Sequence, residues 1–412
     1  METSASIELA KHVLSTFALI LGAGTVFGFI SQKLKVPDVA VFLLVGIALG
    51  PEAGNLINIR VDSALNQIIL IFGASYILFD GGATLRLKVL KQVWLTIVLL
   101  ATLGVLVTAG ITAVAAYYVF SLPLIVALLL GLTFASTDPA TLVPVFKQVK
   151  IKDRVAQTVL SESAFNDATG AIATFAVLGI ALGHAEFSVG GALADLAQQA
   201  GLGLLAGAIL GYLAALLIAH EKFGFFREYA PLVTLMAVLG AYLSADGVHA
   251  SGFMAVFVFG IVLGNKEVFG FRMRHGDEGK MEDFVATTAF IMRMFVFILL
   301  GAQVDFSLMN KYLAGGIAVV TVFMLVARPV AVFVCALPDR RAKWEMKELL
   351  FMCWTRETGV IPGALAGLLL GMGAPEAGLI ASVTFIAIMM TILIQATTTK
   401  WLAGKLGLLS GD

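Results

Sequence analysis

Ser161-Glu162-Ser163-Ala164-Phe165-Asn166-Asp167 lies inside an apolar run from about Val155 to Gly183. Two acids and an amide stand where lipid or packed helices surround the chain. On insertion scales an ionisable residue at a helix centre costs roughly 2.5–3.5 kcal/mol, so such residues persist mainly as partners or as ion sites. At helical spacing Glu162 and Asn166 are i, i+4, as are Ser163 and Asp167. All four fall on one face, with Gly170 one turn further on. That face is a stripe of oxygen ligands, and hard cations are bound by oxygen.

The rest of the chain sets this stretch in a membrane. It has 412 residues, 59% of them hydrophobic and 13% charged, with a mean hydropathy of +0.97. A soluble chain carries about a quarter charged residues. The formal net charge is zero, which gives no general attraction for nucleic acid. The 42 glycines suit close helix packing in lipid. The N-terminus lacks a basic n-region and a cleavage site, and its first apolar run, about Leu9 to Ile30, reads as a span that stays. Cys335 and Cys353 lie in late apolar runs and read as small buried apolar residues. No Gly-x-x-x-x-Gly-Lys, His-Glu-x-x-His or Gly-x-Ser-x-Gly motif is present, so no enzyme is expected, and no cofactor.

Apolar runs recur at about 8–31, 38–51, 64–81, 92–120, 123–147, 155–183, 195–219, 228–246, 250–265, 282–304, 311–337, 346–371 and 376–404. This predicts an all-α membrane protein with thirteen transmembrane helices, because lipid leaves no partner for an unsatisfied backbone. The breaks after odd runs carry Lys33, Lys35, Arg86, Lys88, Lys91, Lys147, Lys150, Lys152, Arg154, Lys222, Arg227, Lys266, Arg272, Arg274, Lys280, Arg340, Arg341, Lys343 and Lys347. The breaks after even runs carry only Arg60 and Lys311. The positive-inside rule then puts the odd breaks in the cytoplasm, the N-terminus outside and the C-terminus inside the cell membrane.

A short internal repeat links the fifth and twelfth runs. Thr137-Asp138-Pro139-Ala140-Thr141-Leu142-Val143-Pro144 is echoed by Thr355-Arg356-Glu357-Thr358-Gly359-Val360-Ile361-Pro362. The offset of seven runs makes the copies antiparallel in the membrane, and paired interrupted spans point to a transport site at the midplane. Proline removes a backbone donor, so each span is expected to unwind at its proline. Asp138 is then expected near a positive half-helix end and Arg356 near a negative one, balancing charge. Asp167 is the expected ion-carrying carboxylate, taking a proton or a cation in turn. Thr137, Asp138, Ser163 and Asn166 are expected around it. Arg328, in mid-span, needs a carboxylate. Glu162 is the expected partner and Asp138 the rival. Arg293 has no evident partner, and Asp80 reads as a cap or anchor near the cytoplasmic end of the third run.

Phe134-Ala135-Ser136-Thr137-Asp138-Pro139, Glu162 through Asp167, Arg328, Arg356 and Phe79-Asp80-Gly81-Gly82 together resemble the monovalent cation:proton antiporters of the NhaP type, over essentially the whole chain. The resemblance implies thirteen helices in two inverted-topology six-helix repeats, with helices 5 and 12 broken. It implies one transmembrane domain, 1–412, in which an ion-carrying core (about 92–183 and 311–404) moves against a dimerising scaffold (about 8–81 and 195–304). It implies that Asp167 binds cation or proton, that Thr137, Asp138 and Ser163 join it around Na⁺, and that Glu162 pairs with Arg328. The Asn166-Asp167 form implies electroneutral exchange of Na⁺ (or Li⁺) for H⁺ in a homodimer among membrane lipids. Thr355-Arg356-Glu357-Thr358-Gly359 departs from the usual Arg-Gly and resembles members linked to K⁺/H⁺ exchange, some with soluble regulatory domains. The chain stops soon after the thirteenth run, as a tail-less member or a truncated chain would. A cation channel, which would need a continuous pore, and an organic-anion carrier, which would need an exposed cationic site, are the alternatives of other classes.

Overall fold

The computed structural model describes residues 2–34, 36, 38–60, 63–137, 146, 151–183 and 189–409. Helices make up nearly all of it: α1 (Glu2–Leu34), α2 (Asp38–Leu49), α3 (Ala64–Thr84), α4 (Leu87–Leu99), α5 (Val105–Phe120), α6 (Leu124–Ala135), α7 (Asp153–Ala181), α8 (Val189–Ala219), α9 (Ala230–Asp246), α10 (Gly252–Gly264), α11 (His275–Ala302), α12 (Phe306–Val322), α13 (Arg328–Ala336), α14 (Met346–Trp354), α15 (Val360–Gly371), α16 (Ala377–Met390) and α17 (Thr397–Leu406). One isolated antiparallel bridge ties Ile151 to Leu409. Among the described residues nine helices are long and apolar enough to cross a membrane, and four shorter apolar ones, at 38–49, 124–135, 252–264 and 361–371, accompany them. Each falls on one of the thirteen apolar runs. The protein is an all-helical integral membrane protein.

Three wide turns, each with one extra residue per turn, interrupt the long helices. Leu100–Gly104 joins α4 to α5, Phe323–Ala327 joins α12 to α13, and Thr391–Ala396 joins α16 to α17. Pro329 accounts for the second. It has no N–H to give and its ring crowds the carbonyl four residues back, so the preceding turn widens rather than breaks.

Helices associating in lipid gain little from apolar burial and depend on close backbone approach. The contact of α3 with α10 shows how glycine permits it. A Cβ at Gly260 would fall on the carbonyl oxygen of Phe79, and one at Gly82 would fall on that of Phe257. The buried apolar side chains form separate clusters. One lies within α3 and α8–α11, around Tyr76, Phe79, Val256 and Phe259. Another lies within α5–α7, α12, α15 and α16, around Leu129, Phe134, Phe323 and Leu369. A third bridges the two sets, joining Leu70 and Ala74 of α3 to Ala171 of α7 and Ile361, Ala364 and Leu365 of α15. Cys335 and Cys353 are buried free thiols. The Cys335 thiol donates to the carbonyl of Leu99 at 3.3 Å.

The expected unwinding at Pro362 is displaced. The twelfth run unwinds at residues 355–359, between α14 and α15, while Pro362 is the third residue of α15. In a helix's first turn the missing N–H has no intrahelical role, so proline starts a half-helix there instead of ending one.

Candidate ion-binding site

α6 ends at Ala135 and the chain turns extended at Ser136 (φ −78°, ψ 148°). It crosses α7 where Gly170 leaves room. A Cβ there would fall on the Ser136 hydroxyl. The crossing sets Thr137 against the polar face of α7. The Thr137 N–H donates to Asn166 Oδ1 at 3.0 Å, and Asn166 Nδ2 donates to Thr137 Oγ1 at 2.8 Å. The Thr137 hydroxyl donates to Ser163 Oγ at 2.9 Å. Thr137, Ser163, Asn166 and Asp167 are each 3% exposed or less. Asp138 lies outside the described residues.

Glu162, one turn before Asn166, meets Arg328. Both of its carboxylate oxygens accept from Arg328, the Nη2 bond to Oε2 being 2.8 Å, and Arg328 Nε donates to the Met352 carbonyl at 2.9 Å. Both side chains are at most 2% exposed. A guanidinium fork on a carboxylate, with its third nitrogen also satisfied, is the geometry in which a buried pair holds together. Asp138, the rival partner, is not needed to satisfy Arg328.

Arg356, in the unwound stretch between α14 and α15, reaches across to the first broken span. It donates to the Ala135 carbonyl in the last turn of α6 and to Thr108 Oγ1 at 3.2 Å, with its guanidinium 5.3 Å from the Phe323 ring centre. A cation at the carbonyl end of a helix meets a partial negative charge. The Thr358 N–H donates to Thr391 Oγ1 at 3.1 Å, fixing the unwound stretch to the wide turn of the thirteenth run. Glu357 and Gln395 are fully buried close by in sequence.

Several polar groups gave no sequence signal. Thr108 sits in an unremarkable apolar run, and the oxygens of Ala135 and Met352 are backbone. Arg293 meets Asp38 at 3.8 Å and the Phe290 ring at 5.5 Å. Asp38 is the first residue of α2, a place where an acid is favourable without a partner. Asp80 lines a cavity of about 730 Å³ with Lys266, Glu278, Glu282 and Arg293. Asp339 accepts from the Thr96 N–H (3.2 Å) and hydroxyl (2.7 Å) where α4 kinks at Val93, and Trp344 Nε1 donates to Thr96 Oγ1 at 2.9 Å. Among the described residues no three His, Cys, Asp or Glu side chains are grouped so as to hold a metal ion. Among the described residues the oxygens bonded to Thr137 are the Ser163 hydroxyl and the Asn166 amide, oxygen donors that suit alkali ions rather than transition metals.

The model of the sodium/hydrogen exchanger transmembrane family matches residues 16–405. This chain belongs to the sodium/hydrogen exchanger family. Members of the family are ion antiporters and not enzymes. Among its relatives, Na(+)/H(+) antiporter 1 of Methanocaldococcus jannaschii is 33% identical, covering 94% of each chain. The K(+)/H(+) antiporter NhaP of Alkalimonas amylolytica is 27% identical, covering 96% of this exchanger and 67% of the relative. The solved structure of the M. jannaschii sodium proton antiporter MjNhaP1 at pH 8 superposes with a TM-score of 0.81 at 30% identity. It covers 95% of this exchanger and 100% of that chain.

Proposed function

We propose that this exchanger moves Na⁺ (or Li⁺) against H⁺ through Asp167, one ion for one proton. The observation that carries the reading is the division of labour on α7. Glu162 gives both carboxylate oxygens to Arg328, while Asp167 is buried beside the hydrogen-bonded Thr137, Ser163 and Asn166. One exchangeable carboxylate holds either a proton or a cation, and each leaves it in the same charge state. Thr137, Ser163 and Asp138 complete the Na⁺ ligands with Asp167. Asn166 holds Thr137 in place and adds no second titrating group. Arg356 neutralises the carbonyl end of α6, which faces the same crossing.

The reading extends to architecture. The thirteen apolar runs are thirteen transmembrane helices in two inverted repeats, and two features in matching places support this. The fifth and twelfth runs are both interrupted, and wide turns fall in the fourth and eleventh. The core (about 92–183 and 311–404) moves as an elevator against the scaffold (about 8–81 and 195–304). The two apolar clusters that each stay within one set of helices support that division. The scaffold pairs two copies, with the N-terminus outside and the C-terminus cytoplasmic.

The test is dissipation of a pH gradient in proteoliposomes with Na⁺, Li⁺ and K⁺ added separately. Wild type responds to Na⁺ and Li⁺ and passes no current. Asp167→Asn folds, elutes as wild type and abolishes exchange. Wild-type rates in that variant would remove Asp167 from the mechanism. A response to K⁺ alone would favour the potassium reading suggested by 355–359, and a steady current would favour a channel.

A further inference from the structure

We propose that a groove at the start of α4 seats an anionic phospholipid of the cytoplasmic leaflet, its phosphate between Lys88 and Lys91 and an acyl chain along Trp94. The groove holds about 580 Å³ and is lined by Leu87, Lys88, Leu90, Lys91, Trp94 and Val268. It joins two parts of the fold that are far apart in sequence.

The helix start is built for an interface. Leu90 packs inward, with Phe165 and Trp344, against the cluster of Val93, Ile97 and Ala342. Leu87 packs inward against Leu85, Phe257 and Ile261. Lys88, Lys91 and Trp94, three residues apart, are exposed. Non-helical angles at Val93 (φ −125°, ψ 15°) let this first piece of α4 bend away from the rest of the helix. Asp339 fixes the bend by taking the freed N–H of Thr96. At the other end Asn265 clamps the chain before α4, accepting from the Leu87 N–H at 3.1 Å and donating to the Leu85 carbonyl at 2.7 Å. Hydrogen bonds therefore fix both ends of the piece of α4 that lines the groove.

Charge and polarity choose the occupant. No acid lines the groove among the described residues, and neither lysine has a salt-bridge partner there. Below the lysines the exposed surface turns apolar, with Trp94 48%, Val98 43% and Leu106 43% exposed. That sequence of ammonium groups, interfacial indole and hydrocarbon-facing side chains matches a phosphodiester, glycerol and acyl chain in order. The placement in the cytoplasmic leaflet rests on the orientation proposed above. The identity of the transported ion does not enter.

The experiment is native mass spectrometry of the full chain in mild detergent, with dioleoyl phosphatidylglycerol or dioleoyl phosphatidylcholine added. Wild type retains one phosphatidylglycerol per protomer in preference to phosphatidylcholine. Each lysine near an anionic surface strengthens binding about fivefold, so Lys88→Gln with Lys91→Gln weakens this one lipid about thirtyfold, and either alone about fivefold. Trp94→Ala shortens retention of both lipids. Equal retention of the two lipids by wild type overturns the proposal. So does unchanged phosphatidylglycerol retention in the double variant. A double variant that becomes monomeric while keeping its lipid also overturns it, by assigning the groove to a second copy. The readout is lipid mass, so it stands whether or not Asp167 carries sodium.

Discussion

The bond between Glu162 and Arg328 costs the protein most if only half of it is removed. Both groups are buried, and a charge left alone in that place costs about 3–5 kcal/mol. Glu162→Gln is therefore expected to lower unfolding stability by that order, read as a fall in melting temperature in detergent. Glu162→Leu with Arg328→Met removes both charges and should recover most of the loss, since apolar replacement of a buried pair is often neutral. Asp167 is tested differently, by competition. Where the site is mostly protonated, each unit fall in pH raises the apparent KM for Na⁺ about tenfold, one proton being displaced per cation. Initial rates of Na⁺-driven exchange across several pH values check this. A flat KM would mean that proton and cation do not share a site.

At the scale of elements, the unwound stretch of the twelfth run is tied to the thirteenth through its main chain. Thr391 Oγ1 accepts from the Thr358 N–H. Thr391→Val keeps the shape and removes the acceptor, leaving a buried N–H unmade at about 1–3 kcal/mol. The expected result is lower stability and slower exchange, with Thr391→Ser close to wild type in both. The site's legibility in the sequence divides along the same lines. The apolar runs locate the helices because lipid allows little else. Arg328 pointed to Glu162 because a mid-span arginine needs a carboxylate and few are available. Arg293 and Asp38 escaped, since an acid at the start of α2 serves as well as an N-terminal charge. For Arg356 the sequence points to a negative half-helix end but not to the acceptor, because the Ala135 carbonyl is main chain and main-chain oxygens have no letter. Pro362 misled because the rule that proline breaks helices has an exception in the first turn.

For the molecule as a whole, the proposed motion needs a seam that slides. Ala74, Ala171, Phe253, Ile361, Ala364, Leu365 and Leu368 meet there, with no hydrogen bond or ion pair among these side chains in the described structure. A smooth apolar contact lets one set of helices move past another without breaking polar links. Ala171→Phe overfills it, and overpacking costs typically 1–3 kcal/mol. Turnover is expected to fall about tenfold or more, while Na⁺ still raises the melting temperature as in wild type. Unchanged turnover would argue against movement along this seam.

Cys335 and Cys353 bear on how such movement is watched. Both thiols are enclosed, at 0% and 8% exposure, and dyes that react with sulfhydryls need access to the sulfur. A maleimide fluorophore attached to one new surface cysteine on either side of the seam would therefore report distance against a silent background. The native pair would not first have to be stripped out.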